Sequence, residues 1–167
     1  MCNNNNNSCG CGGNLDSGCG CNSNNNSCGC GCGCNQGSND LGPNPIIANI
    51  NQLARNNTNF RNTYWTGDNL QVTLMSIPVG CCIGLEVHHD NDQFIYIVQG
   101  EALVQLGESQ CPSRVGCGNA VIVPSGTWHN ITNIGNVPLK LYSIYAPPHH
   151  PRGTCHRTKC DAEREMY

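Results

Sequence analysis

The sequence predicts an all-β sandwich or barrel preceded by a segment with no fold of its own, and three observations carry that expectation. From residue 70 onward apolar side chains recur largely at every second position, the period of a strand with one buried face. The resulting runs, residues 70–77, 93–106, 119–123 and 139–145, are short and rich in Val, Ile, Leu and Tyr. They are separated by Pro78-Val79-Gly80, Gly100, Gly107, Pro124-Ser125-Gly126 and residues 133–138, and many short strands with glycine-marked turns belong to a sandwich or barrel rather than to alternating strands and helices. Ahead of the strands, Pro43 and Pro45 lead into Ile46, Ile47, Ile50 and Leu53, whose helical spacing predicts one short helix.

Residues 1 to about 40 are of another kind. They are almost only Asn, Gly, Ser and Cys, with Leu15 the single large aliphatic residue, so nothing there can offset the entropy of ordering and the segment is predicted to lack a fixed fold. Asn5-Asn6-Asn7-Ser8-Cys9-Gly10-Cys11-Gly12 returns as Asn24-Asn25-Asn26-Ser27-Cys28-Gly29-Cys30-Gly31 and extends to Cys32 and Cys34. Nine of the 15 cysteines fall in this tail. A Cys-Gly-Cys unit is poorly placed to close a relaxed disulfide on itself, which leaves its thiols for other chains or for a soft metal. Three readings stay open: a linker with incidental thiols, a metal-thiolate cluster, and an arm that crosslinks copies of the chain under oxidising conditions. The remaining residues, 41–167, are long enough to bury one working core and are read as one domain with a C-terminal extension.

Charge and hydropathy narrow the partners. Eight Lys and Arg against 11 Asp and Glu give a formal charge of -3 with no basic run, which argues against nucleic acid. No apolar run approaches the 18 or so residues that span a bilayer, and the first residues lack a basic then apolar export signal, so synthesis in the cytoplasm and no membrane partner are expected.

The segment Gly118-Asn119-Ala120-Val121-Ile122-Val123-Pro124-Ser125-Gly126-Thr127-Trp128-His129-Asn130-Ile131-Thr132-Asn133 resembles the second cupin motif, G-x5-P-x-G-x2-H-x3-N, at every defined position. Residues 80–100 resemble the first motif with two departures: Gln93, spaced correctly from Gly100, takes the glutamate position, and Glu86 takes that of the first histidine, ahead of His88. Strand alternation supports that register, since Glu86 and His88 share one face while Val87 and His89 share the other, leaving His89 outside the ligand set. Phe60-Arg61-Asn62-Thr63-Tyr64-Trp65-Thr66-Gly67, Leu74-Met75-Ser76-Ile77, Asp92-Gln93-Phe94-Ile95 and Leu141-Tyr142-Ser143-Ile144-Tyr145-Ala146-Pro147-Pro148 are similar to a group of small bacterial single-domain cupins with a Glu-x-His-x4-Gln signature, labelled mannose-6-phosphate isomerase-like. The likeness covers roughly residues 42–163.

The resemblance implies a jelly-roll antiparallel β-barrel and a divalent transition metal (Mn, Fe, Zn or Ni) held by Glu86, His88, Gln93 and His129, with positions open to substrate. One carboxylate, two neutral imidazoles and one amide leave such an ion about one formal positive charge, enough to polarise a hydroxy-ketone or bind an anion. Gln93 is a weaker ligand than glutamate, so modest affinity is expected, and a metal-free domain stays open. Two function classes follow. One is an enzyme on a small polar metabolite, of sugar (phosphate) isomerase-like or dioxygenase-like chemistry. The other is a structural, disulfide-crosslinked component of a spore coat or other surface layer, favoured by Cys81, Cys82, Cys111, Cys117, Cys155 and Cys160 in turns and the C-terminal extension. No catalytic residue is assigned; Tyr64, Tyr96, Tyr142 and Tyr145 are conceivable pocket phenols, although strand aromatics are more often core. A homodimer is expected, because closed two-fold pairs are the commonest oligomer, with further self-assembly through the tail.

Overall fold

The structure is a computed structural model that describes residues 40–107 and 111–164, so the predicted tail lies outside the described residues except for Asp40. In chain order the elements are α1 (Ile50–Asn56), β1 (Arg61–Thr66), β2 (Gln71–Ile77), β3 (Asp92–Gln99), β4 (Glu101–Leu106), β5 (Ser113–Gly116), β6 (Ala120–Val123), β7 (His129–Asn133), β8 (Leu139–Ala146), β9 (Cys155–His156) and α2 (Lys159–Arg164). All strand pairings are antiparallel. One sheet runs β6-β3-β8-β2-β1-β9 and the other β5-β4-β7. The core lies between them: Met75, Ile77, Ile95, Ile97, Leu139 and Leu141 of the large sheet meet Ala102, Val104 and Ile131 of the small one. This is the predicted jelly-roll barrel.

Register decides what faces inward. Residues directly opposite in antiparallel strands project from the same face, so Arg61, Met75, Leu141 and Ile97 form one inward row and Thr63, Thr73, Ser143 and Ile95 the next. A third row places Gln71, Tyr145, Gln93 and Val123 side by side. The interior is therefore apolar at one end and polar at the other, and the functional residues gather at the polar end. β1 was not among the predicted strands for the same reason: its buried positions are Arg61 and Thr63, so its inward face does not read as apolar.

The predicted helix forms later than its apolar set suggests. Asn49 caps it by accepting from the Gln52 amide at 3.1 Å, and Ile46 and Ile47 stay exposed before it. α1 packs Ala54 on the outer face of the large sheet against Leu74 and Val98, beside Tyr64, Tyr96 and Tyr142. Lys140 is buried beneath its C-terminal end, where its ammonium donates to the Asn57 carbonyl and, at 2.9 Å, to the Ser76 hydroxyl. The run 93–106 divides into β3 and β4 at Gly100, whose φ of 92° suits glycine and where a methyl group would come within 3.2 Å of the Leu139 backbone.

Asp40 fastens the start of the domain. Its carboxylate accepts from the amides of Gly42 and Thr66, each at 3.0 Å, and from the Thr66 hydroxyl. Burial acts to raise its pKa, but the bonds from Thr66 and Gly42 outweigh it and hold the carboxyl below its ordinary value. A carboxylate with a depressed folded-state pKa stabilises above its unfolded pKa of about 4 and loses that contribution as pH falls through the folded value. Asp40→Asn should therefore lower the urea midpoint at pH 7, with the gap to wild type narrowing below about pH 4; a gap independent of pH would contradict this role.

Candidate metal centre

Two segments build the site, and backbone bonds stitch them together. The Glu86 amide donates to the His129 carbonyl at 3.0 Å and the His129 amide returns the bond to Glu86 at 2.9 Å. Such a reciprocal pair sets two side chains next to each other on one face. Residues 84–91 are otherwise irregular, held by this bridge and by ties on either side of it. On one side Gly84 donates to the Asn130 side chain at 3.2 Å; on the other the Gly126 amide donates to the His88 carbonyl at 2.7 Å. Gly126, at φ 75°, turns the chain so that its amide can reach His88. Asp92 accepts from the Ser125 amide at 2.9 Å and holds the same turn from β3.

Within this frame Glu86, His88 and His129 converge. Glu86 Oε1 lies 3.3 Å from His88 Nε2 and 3.4 Å from His129 Nε2, and the three ligand atoms lie within 4.8 Å of one another. His88 and His129 are buried, whereas His89 points to solvent. His129 Nδ1 lies 3.0 Å from the Thr127 carbonyl, which can only accept, so Nδ1 carries the hydrogen and Nε2 is left with a lone pair. That Nε2 is buried with no hydrogen-bond partner among the described residues. Burial works to raise the Glu86 pKa, but the two imidazoles that face its carboxylate, His129 and then His88, with the Arg61 charge behind them, hold this carboxyl far below the ordinary range. Ligands about 2.1 Å from an ion stand about 3 Å apart at right angles and about 4 Å when opposed, so the separations of Glu86 Oε1 from the two imidazole nitrogens suit a divalent ion.

Gln93 enters from β3. Its amide donates to Ser143 Oγ at 2.9 Å and to Tyr145 Oη at 3.0 Å, which fixes the amide orientation and leaves Oε1 buried without a partner among the described residues. The fully buried Tyr145 packs edge-on against His88, ring centroids 5.7 Å apart, and burial pushes its phenol up to about 12. Of the four conceivable pocket tyrosines it alone contacts the site; Tyr64, Tyr96 and Tyr142 belong to the outer cluster under α1.

Sequence reasoning did not single out His149, His150 or Arg61. After β8 the chain passes through Pro147-Pro148 and brings His149 to 4.0 Å from the His88 ring, stacked on Tyr145 at 5.3 Å. Burial, then the neighbouring His88 charge, press the His149 pKa down to about 4, so its imidazole is neutral at physiological pH. His150 is pressed lower still, by burial and then by Arg61. Gln71, fully buried, positions this loop: Oε1 accepts from the amides of His149 and His150 at 3.3 and 2.9 Å, and Nε2 donates to the His150 carbonyl at 2.8 Å. A histidine pair flanked by prolines directly after the last long strand was the available signal. Gln71→Leu should speed hydrogen exchange at the His149 and His150 amides about 10-fold or more, with β2 and β8 amides near their original rates; unchanged loop exchange would contradict the role given to Gln71.

Comparison with known proteins agrees with this architecture. The cupin domain family model matches residues 73–145, spanning β2 to β8. The chain is 52% identical over 127 residues to the uncharacterized protein YrkC of Bacillus subtilis, covering 74% of this chain and 68% of that one. The crystal structure of BH2720 from Bacillus halodurans is 51% identical and superposes with a TM-score of 0.74 over 75% of this chain and 98% of that one. A more distant relative, the oxalate-binding protein of Thermotoga maritima, is 29% identical over 70 residues, or 42% of this chain and 56% of that protein. With both motif segments folded about one cluster and relatives at this level of identity, the chain belongs to the cupin family.

Proposed function

We propose that this cupin is a metal-dependent enzyme acting on a small polar metabolite, with Glu86, His88 and His129 as ligands and Gln93 Oε1 as the fourth. The observation that carries the proposal is the buried Nε2 of His129, without a hydrogen-bond partner among the described residues and 3.4 Å from the Glu86 carboxylate. A buried acceptor without a donor is costly unless something binds it. When bound, a divalent ion supplies Lewis-acid polarisation of a substrate oxygen. The protein's own contribution is a preorganised wall: Tyr145 and Ser143 fix Gln93, and the His149 ring packs beside His88. The reaction is of isomerase-like or dioxygenase-like class, and the relative that binds oxalate supports a small oxygen-rich ligand.

A second reading is a crosslinked structural role, in a spore coat or other surface layer. It is favoured by the nine cysteines of the first 34 residues. Under that reading, oxidised full-length protein forms reductant-sensitive ladders on gels whether or not the metal ligands are intact.

Mn(II) is the ion for the decisive titration, because thiolates favour softer metals and the tail would compete for zinc. Reduced full-length protein should bind one Mn(II) per chain by calorimetry. His129→Ala should weaken binding about 100-fold or more, and Gln93→Glu, which adds a ligand charge, should tighten it about 10-fold. Equal Mn(II) affinity in wild type and His129→Ala would overturn the assignment.

A further inference from the structure

Among the described residues, Arg61 is the one cation on the inward face of the large sheet whose charge has no contact to balance it. It is 6% exposed and sits opposite Met75 in the inward row next to Thr63 and Thr73. Its guanidinium makes no hydrogen bond and no ion pair to any described residue; it lies over the Phe60 ring, 5.9 Å away, and its buried Nε lacks a partner. The nearby acid whose field it shares is Glu86, and its charge also reaches Tyr145, His149 and His150. Buried arginines are ordinarily paired, because an uncompensated interior charge is strongly unfavourable. Glu86 cannot serve both as metal ligand and as full counter-charge to Arg61. With an ion in place, the barrel interior would carry about two formal positive charges.

Other unpartnered atoms lie on the same interior surface. Thr73 Oγ1, one row from Arg61, is buried and unsatisfied, and so are two acceptors suited to a cation, Gln93 Oε1 one row further on and His129 Nε2 of the candidate metal centre. A guanidinium and a hydroxyl that can both donate, on the face that leads to a cation-binding cluster, describe a binding site for an anion with more than one oxygen. The guanidinium fork matches a carboxylate bidentately. We propose that Arg61 is the carboxylate-binding residue of this site, so that its natural ligand is a small organic acid whose carboxylate rests on Arg61 while a second oxygen reaches the centre formed by Glu86, His88 and His129. The placement of that second oxygen rests on the metal reading above; the contact with Arg61 does not.

The test titrates reduced full-length protein, metal-free and Mn(II)-loaded, with glycolate, inorganic phosphate and neutral ethylene glycol by calorimetry. Glycolate should bind, more tightly to the loaded protein, and ethylene glycol should not. Arg61→Met should weaken glycolate about 10- to 100-fold in both forms while Mn(II) uptake is retained. Arg61→Lys keeps the charge without the fork and should fall between wild type and Arg61→Met; should Arg61→Met fail to fold, a weakening of about fivefold or more by Arg61→Lys decides the point. Glycolate affinity unchanged in the folded Arg61 variant, no glycolate binding in either form, or phosphate binding more tightly than glycolate would each overturn the proposal. Absence of Mn(II) uptake would instead defeat the metal reading, and the metal-free titration would still judge Arg61.

Discussion

Two backbone hydrogen bonds between Glu86 and His129 set the terms for everything at the polar end of this barrel. The segment bearing Glu86 and His88 has too little regular pairing to hold side chains in place by itself, whereas β7 is pinned along its length to β4. The reciprocal bridge transfers that rigidity across. Once Glu86 is in register with His129, the Gly126 amide can reach the His88 carbonyl, and the second histidine is fixed within 3.3 Å of the same carboxylate. Side chains needed at sub-ångström tolerance are thus positioned by main-chain bonds, which have little freedom to drift.

The division of the barrel interior into apolar and polar ends is the second consequence. Around Ile97 and Leu141 aliphatic side chains predominate, Arg61 being the exception in their row, and they supply the burial that keeps the sheets together. Toward Tyr145 the rows become polar, and here the usual rule that buried polar atoms are satisfied is broken several times at once. Stability alone does not select such a cluster, since each unsatisfied atom is unfavourable. It is the arrangement expected of a site whose partners arrive from outside, and sequence rules that fail together in one place commonly mark function.

How much of this was legible varies by residue. The second motif could be read because each of its defined positions does something local. Gly118 and Gly126 adopt positive φ, His129 projects inward, and Asn133 donates to the carbonyls of Ile77 and Val137 at 2.9 Å to close the β7 turn. Alternation placed Glu86 and His88 on one face and His89 outside even though residues 84–91 form no regular strand, because the single bridge at Glu86 restores strand-like geometry where it matters. Arg61 could not be read, and His149 left only the proline-flanked histidine pair as a signal. Arg61 comes inward through the pairing of β1 with β2, and His149 is placed through Gln71, a contact about 80 residues apart in sequence that no local pattern records. β1 was hidden because its inward face is polar, and α2 because it is six residues long and buries only Ala162.

The central claim is that Glu86, His88, His129 and Gln93 form one coordination sphere. Anomalous diffraction from crystals of the full-length protein soaked in Mn(II), collected on both sides of the manganese edge, tests it most directly. The account predicts one strong peak inside the barrel, about 2.0 to 2.3 Å from Glu86 Oε1, the Nε2 atoms of His88 and His129, and Gln93 Oε1. Manganese bound elsewhere, or a peak at the histidines with Gln93 Oε1 more than about 3 Å away, would contradict it.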